Sequence, residues 1–135
     1  MAIQLVVVTP AGPAFSGPVD SIVLPGVDGE FGVLESHERF LSALTHGCME
    51  IRSSGGVRFA AVSSGFAEVD GSRVVVLADF CALASDIDRS AVEAERDEAQ
   101  LQLDRLPDTA ESAGERLRLS TRIARAEVEL DVLGR

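Results

Sequence analysis

The chain has 135 residues, a formal net charge of −10 and a hydrophobic fraction of 46%. This length predicts one domain, or a small domain with an appendage. The acidic balance argues against a nucleic-acid-binding protein, because such proteins present a basic face. The apolar content excludes a disordered chain. No apolar run reaches the roughly 18 residues of a membrane span.

The two cysteines, Cys48 and Cys81, are too few for a disulfide scaffold. They are typical of buried free thiols in a reducing compartment. The first residues also lack the charged segment and apolar stretch of a signal peptide. We therefore expect a cytoplasmic protein.

The composition changes near residue 84. All six phenylalanines and most glycines and prolines precede it, whereas most arginines and acidic residues follow it. Glycine, proline and β-branched residues favour strands and turns, and alanine, leucine, glutamate and arginine favour helices. The sequence therefore predicts a β domain over residues 1–84 and a helical region over residues 85–135.

Short apolar or alternating segments in the first region are separated by turn signals. Gly55-Gly56 and Asp70-Gly71 are hairpin signals, since glycine accepts the positive φ that such turns require. Many short strands without intervening helices predict an antiparallel β-sandwich or flattened barrel. We expect strands at residues 3–9, 19–24, 31–34, 40–44, 48–52, 57–62, 66–69 and 73–77, and a turn at residues 10–13.

The second region has two helical segments. The first is expected to start between Ser85 and Asp88, whose side chains suit a helix N-terminus, and to stop before Pro107. The second is expected to run from about Thr109 to residue 133. A linker this short predicts an antiparallel two-helix hairpin. Its apolar stripes are Val92, Ala99, Leu103 and Leu106 on the first helix, and Leu119, Ile123, Ala126, Leu130 and Leu133 on the second.

No motif predicts a catalytic centre, a metal site or a cofactor. His37 and His46 lack a nucleophile at a recognisable spacing. The glycine-rich segment at residues 26–32 lacks the lysine and the following helix of a phosphate loop. Asp28 and Glu30 on its turn fall far short of a calcium loop. We therefore expect the glycine-rich segment at residues 26–32 to form turns between strands.

Charged residues on the helices allow a plain and a sharper interpretation. The acidic cluster at residues 93–98 has arginines within one turn, which favours a solvated, ion-paired surface over a metal site. Arg118, Arg122 and Arg125 form a row on one side of the second helix. This row is either another solvated face or a docking edge for an acidic partner, since arginine pairs well with carboxylates.

Several segments, in order and at matching spacing, carry a family resemblance over essentially the whole chain. They are Phe15-Ser16-Gly17, Val19-Asp20-Ser21-Ile22-Val23-Leu24-Pro25-Gly26, Gly29-Glu30-Phe31-Gly32-Val33-Leu34, His37, Gly47-Cys48-Met49-Glu50-Ile51 and Ser64-Gly65-Phe66-Ala67-Glu68-Val69. In these segments the chain resembles the epsilon subunits of F-type ATP synthases, called delta in mitochondria. The length and the order of β region and helical hairpin agree with that family.

The resemblance implies a non-catalytic rotor subunit of the central stalk. The β-sandwich would bind the gamma subunit and rest on the c-ring, and rotation driven by ion flow would pass to the alpha/beta catalytic head. Glu30 and Phe31 match the loop that the family places near the c-ring and gamma, and His37 matches a position near gamma. The resemblance also implies peripheral association with the cytoplasmic face of a bacterial inner membrane through the complex.

Two departures from the family stand out. Where the family has Pro-Gly-His-Ala-Pro, residues 35–39 bring in charges and lose both prolines, so the contact with gamma is expected to differ. Many bacterial relatives open the hairpin with Ile/Leu-Asp-x-x-Arg-Ala and bind ATP there. Asp88 matches this motif, but Ala91 replaces its arginine. We therefore expect weak or absent ATP binding.

Three further hypotheses remain open. In several relatives the hairpin extends into the catalytic head and blocks hydrolysis, and Arg118, Arg122 and Arg125 are candidates for that contact here. A free-standing nucleotide-sensing regulatory domain would rest only on Asp88 and scattered arginines. A small β-sandwich hydrolase has no nucleophile–base pair to support it.

Overall fold

The computed structural model describes residues 2–34 and 37–135, and for His37 the backbone alone. Ten strands come first: β1 (Ile3–Thr9), β2 (Gly12–Val19), β3 (Ser21–Gly26), β4 (Gly29–Leu34), β5 (His37–Leu44), β6 (Gly47–Ser53), β7 (Gly56–Val62), β8 (Gly65–Gly71), β9 (Arg73–Ala78) and β10 (Cys81–Leu83). Two helices follow, α1 (Arg89–Arg105) and α2 (Ala113–Leu133), each preceded by a short 3₁₀ turn.

The strands form a ladder in the order β10-β7-β6-β3-β5-β8-β9-β1-β2, with β4 added on β3. Within the described ranges β3 and β5 pair only at Gly26 and Leu44. The ladder therefore divides at this point into two halves, and side chains from both halves share one core. This confirms the predicted β-sandwich followed by two helices.

Alternation along the strands explains the core. In β1, Ile3, Leu5 and Val7 are fully buried while the residues between them are exposed or half-buried. A pleated strand places successive side chains on opposite faces, so this pattern buries one face only. The opposite face of the same sheet is left free to contact other molecules.

The strand predictions need three corrections. Residues 12–19, of which 12 and 13 were assigned to a turn and 14–18 were left without structure, form strand β2 despite Pro13 and Pro18. Proline is tolerated there because β2 lies at the edge of the ladder and, among the described strands, pairs with β1 alone. A short strand, β10, was also missed. The sandwich is not wholly antiparallel, because β1 pairs in parallel with β9.

The helices form the expected antiparallel hairpin. Glu95, near the start of α1, contacts Arg122 in the second half of α2. The carbonyl of Leu106, just after α1, accepts a hydrogen bond from Arg116 near the start of α2, so the two helices are antiparallel. The seam buries Ala99, Leu119 and Ile123. The predicted stripe of α2 is wrong at its end, where Val132 is buried and residues 130 and 133 are only half-buried.

Val132 is buried because the end of α2 lies on the sandwich. It forms a small cluster with Cys48 of β6 and Ala61 of β7, to which Phe59 and Phe80 add partly buried rings. The first half of α2 packs on α1 and the second half packs on the strands. One helix therefore joins the hairpin to the sandwich.

Candidate interaction surfaces

The first candidate surface is the β3–β4 hairpin. Its Glu30 is exposed, and Phe31 is half-buried against Phe40 with ring centroids 5.4 Å apart in an edge-to-face arrangement. Gly26 closes the hairpin, and a Cβ there would lie 2.7 Å from the carbonyl oxygen of Gly29. The hairpin is thus tightly closed at its turn, and Glu30, the second residue of β4, lines a cleft with Pro25 and, at the end of α2, with Asp131 and Arg135.

His37, the third residue that the sequence analysis assigned to a contact of the β domain, begins β5, where its backbone pairs with Gly71. Its side chain lies outside the described residues, as do Glu35 and Ser36. The expectation that the 35–39 segment contacts a partner differently from the family therefore stays a prediction.

The second surface is the outer face of β5, β8, β9 and β1, which the sequence analysis did not single out. Leu41, Phe66 and Leu77 are 67%, 53% and 52% exposed. Phe66 stands opposite Leu77 on one side and Ala43 on the other, and Leu77 stands opposite Val8. An apolar row across four strands is more than scattered surface residues and is typical of a protein–protein contact. The signal was present in the alternation, since Phe66 is out of phase with the buried Ala67 and Val69.

The third surface is the arginine row of α2, whose members are occupied within the chain. Arg118 pairs with Glu115, one turn away. The guanidinium of Arg122 lies 2.6 Å from Glu95 of α1 and, mainly through this hydrogen bond, lowers the pKa of that carboxyl. Folded as described, Arg122 therefore bridges the two helices, whereas Arg118 is paired within α2.

Arg125 has two contacts. It lies over the ring of Phe80 with its guanidinium carbon 4.4 Å from the centroid, and it also pairs with Glu129 at 3.2 Å. Phe80 in turn meets His46 edge to face, and His46 accepts a hydrogen bond at Nδ1 from the Ser64 amide. This stack joins α2 to two loops of the sandwich.

The segment compared above with an ATP-binding motif begins helix α1. Asp88 is the N-cap of α1, where its carboxylate accepts bonds from the amides of Ser90 and Ala91 at 3.1 and 3.3 Å. Beside it, a cleft of about 330 Å³ opens between the helices. Ala91 lines it, and its two arginines, Arg122 and Arg125, each pair with a glutamate.

The two thiols lie in different environments. Cys48 is buried beneath α2, and Cys81 is half-buried against the sandwich core. Burial raises the pKa of both thiols, that of Cys81 to about 11. Both are protonated at neutral pH, as expected of buried thiols.

The ion pairs on α1 agree with the plain interpretation of its acidic cluster: Arg89 pairs with Glu93 and Arg96 with Asp97. Across the described positions, no three metal-ligating side chains come together. Neither helix in the described part of the chain has the length and apolar character needed to cross a bilayer.

The fold defines the class: a ten-stranded β-sandwich that carries a C-terminal helical hairpin. Residues 2–84 match the family described as the ATP synthase delta/epsilon chain, beta-sandwich domain. The ATP synthase epsilon chain of Nitratidesulfovibrio vulgaris strain DP4 is 37% identical over 127 residues, covering 94% of this chain and 95% of the relative. That of Anaeromyxobacter dehalogenans is 38% identical over the full length of both chains. The chain therefore belongs to the ATP synthase epsilon chain family.

Two solved structures support the fold. A chain in the cryo-EM structure of Euglena gracilis mitochondrial ATP synthase, OSCP/F1/c-ring in rotational state 1, superposes with a TM-score of 0.65 and 21% identity, covering 98% of this chain and 78% of that one. A chain in the cryo-EM structure of the Tetrahymena thermophila mitochondrial ATP synthase central stalk/c-ring superposes with a TM-score of 0.61 and 14% identity, covering 98% of this chain and 97% of that one. Both agree with the sandwich-and-hairpin architecture.

Proposed function

We propose that the chain is a non-catalytic subunit of the rotating central stalk of an F-type ATP synthase. In this role it links the gamma subunit to the c-ring and has no reaction centre of its own. The observation that carries the proposal is the match to epsilon chains over essentially the full length, since it includes both the sandwich and the hairpin. The subunit would sit at the cytoplasmic face of a bacterial inner membrane, attached through the complex.

The β-sandwich, residues 1–84, is proposed as the part that contacts gamma and the c-ring. Glu30 and Phe31 are assigned to the contact near the c-ring and gamma, and His37 to gamma. The exposed row of Leu41, Phe66 and Leu77 supports a large apolar contact on the same domain. Removal of these side chains from water is the main driving force available to such a contact.

Co-purification tests this assignment. The tagged chain is expressed with gamma and the alpha and beta subunits, and we expect it to retain gamma and the catalytic head. Phe66→Asp should weaken retention strongly, whereas Leu117→Asp, at an exposed leucine on α2, serves as the control. Glu30→Gln and His37→Ala then test the assigned contacts. Failure of the unaltered chain to retain gamma would contradict the proposal.

The helical hairpin, residues 85–135, is proposed as a regulatory domain that restrains ATP hydrolysis. Extension into the alpha/beta head requires Arg122 to leave Glu95 and Arg125 to leave the Phe80 ring. The row of Arg118, Arg122 and Arg125 can then exchange its remaining exposed pairs within α2 for acidic segments there. Arginine rows suit this purpose because the guanidinium forms paired bonds with carboxylates. Deletion from Ser85 onward should raise the ATPase activity of the complex, and an unchanged rate would show that the hairpin is no brake.

A free-standing nucleotide-sensing domain is the alternative. The interhelical cleft gives it little support, because Ala91 supplies no cation and both arginines of the cleft already have carboxylate partners. Calorimetric titration of the isolated chain with ATP separates the two proposals. We expect no micromolar binding.

A further inference from the structure

The outer edge of β4 has the backbone pattern of a strand that lacks its neighbour. β4 pairs with β3 alone, from Ser21 opposite Leu34 to Gly26 opposite Gly29. Within residues 2–34 and 37–135, no strand runs along its other side. The edge therefore has hydrogen-bonding groups with no partner strand.

The register identifies which groups these are. The carbonyl of Pro25 accepts a bond from the Thr45 amide at 2.9 Å, and proline has no N–H, so Pro25 and Glu30 are opposite without bonding each other. In an antiparallel pair, bonded and non-bonded positions alternate. The N–H and C=O of Glu30, Gly32 and Leu34 consequently point away from β3, whereas those of Phe31 and Val33 bond to it.

This edge also lacks the features that normally block an added strand. Proteins protect exposed edges with charged side chains, above all lysine, with proline, with a bulge or with a very short strand. β4 has six residues in unbroken register with no lysine, proline or bulge, and its one charged residue, Glu30, lies next to the turn. Gly32, at its centre, has no side chain to obstruct a neighbour, and Leu34 beside it is 66% exposed.

We propose that β4 accepts an extended segment of the gamma subunit as an additional antiparallel or parallel strand of the sandwich. The inference rests on the proposed function, which assigns Glu30 and Phe31 of this strand to the interface with gamma and the c-ring. Main-chain bonds supply affinity in this mode of binding, and alternate side chains supply specificity. A second copy of the chain is disfavoured as the occupant, because each copy has a net charge of −10.

Hydrogen exchange at single amides tests the proposal directly. In the free chain, the amides of Glu30, Gly32 and Leu34 should exchange rapidly, while those of Phe31 and Val33 are slowed by their bonds to β3. In the complex with gamma, exchange at the first three should slow by at least about 10-fold. Phe31 and Val33 are the internal control, since they lie on the same strand.

The outcomes separate the two levels of the proposal. If the complex forms and the amides of Glu30, Gly32 and Leu34 exchange as in the free chain, strand addition is refuted and the stalk function stands. If gamma does not bind, both are refuted. Protection that rises with concentration in the chain alone would identify a second copy as the occupant, and would overturn the assignment to gamma.

A matched pair of variants provides a second test. Gly32→Pro removes the central outward N–H without removing a bond to β3 and should lower the affinity for gamma by about 10-fold. Gly32→Ala keeps the N–H, and its added Cβ comes no closer than 3.8 Å to the Ile22 carbonyl oxygen, so its affinity should stay within about twofold. Equal affinities for the two variants would contradict the proposal. Should Gly32→Pro fail to fold, the exchange experiment decides alone.

Discussion

The sandwich and the hairpin are stabilised to very different degrees. The sandwich core takes fully buried side chains from both halves of the ladder, including Leu5, Ile22 and Met49. Among the described residues, the hairpin seam has three buried side chains, Ala99, Leu119 and Ile123, with two partly buried leucines beside them. Its cross-helix ion pair, between Glu95 and Arg122, is partly exposed to solvent. Exposed ion pairs add little to stability. The sandwich is therefore the rigid part of the molecule, and the hairpin is an attachment with little buried area of its own.

The attachment of the hairpin to the sandwich is also small. Its buried centre is Val132 on Cys48 and Ala61, with partly buried apolar residues such as Val128 around it and Arg125 on the Phe80 ring. Segments with few buried apolar contacts open at a lower free energy than the global unfolding of the protein. The proposed roles, torque transmission by the sandwich and extension of the hairpin, require this combination.

The largest effect is expected from a cavity in the sandwich core. Leu5 is fully buried on a strand paired on both sides, so Leu5→Ala should lower the free energy of unfolding by about 2–5 kcal/mol. Urea unfolding of the full chain measures the change. Leu41→Ala, at an exposed leucine, is the control and should change stability by less than about 0.5 kcal/mol. A loss of less than about 1 kcal/mol in Leu5→Ala would argue against a close-packed core.

A second test of rigidity uses a glycine that has no space around it. A Cβ at Gly65 would lie 1.9 Å from the backbone oxygen of Leu77, so Gly65→Ala must separate β8 from β9. We expect a loss of about 1–3 kcal/mol or more. Gly55→Ala is the matched control, since nothing lies within 4 Å of its added Cβ. Equal urea midpoints for the two variants would show that the sandwich yields more easily than inferred.

A substitution in the hairpin is expected to add ATP binding, whereas the substitutions in the sandwich core lower the free energy of unfolding. Ala91→Arg restores the cation of the family ATP motif at the mouth of the interhelical cleft. A charge-assisted contact contributes about 1.5–3 kcal/mol, so ATP affinity should rise by about 10–150-fold. Calorimetry measures it, with Ala91→Gln as the uncharged control. If both variants bind alike, or the unaltered chain already binds at micromolar concentration, the missing arginine is not the reason for weak binding.

The sequence predicted the sandwich well where apolar side chains alternate or run together, as in β1 and β6 to β9. It missed β2 because glycine and proline at positions 12, 13, 17 and 18 suggest a turn. An edge strand accepts them, but edge position is a property of the whole sheet. That β4 has no second partner strand within the described residues could not be inferred from residues 29–34 for the same reason.

The candidate surfaces were predictable only in part. The positions of Glu30 and Phe31 on an exposed hairpin follow from the flanking glycines. The contact between Phe80 and Arg125 does not, because it joins residues 45 positions apart across two structural elements. Similarly, Val132 was missed because a helical stripe shows which residues share a face, but not where the helix passes from one partner to another.

A smaller effect is expected at the joint between the two parts. Arg125→Ala removes the guanidinium from the Phe80 ring, a contact that contributes about 0.5–1 kcal/mol. Amide exchange in α2 should become faster, while exchange in the core strands stays unchanged. Arg118→Ala is the control, because that arginine pairs within its own helix. Faster exchange in the strands as well would mean that the hairpin and sandwich open together.

The smallest effect is expected from acid. The Arg122 guanidinium lowers the pKa of Glu95 below its ordinary value of 4.5. The pKa of this carboxyl is lower in the folded than in the unfolded state, so its charge stabilises the hairpin at pH values above the unfolded-state pKa. That contribution is lost as the pH falls through the folded-state pKa. Amides in α1 of Glu95→Gln should therefore exchange faster than those of the unaltered chain at pH 7, and the two rates should converge as the pH falls through the lowered pKa of Glu95. Because the pair is exposed, high salt should reduce the difference at pH 7. A difference that persists in acid would show that Glu95 acts through packing rather than charge.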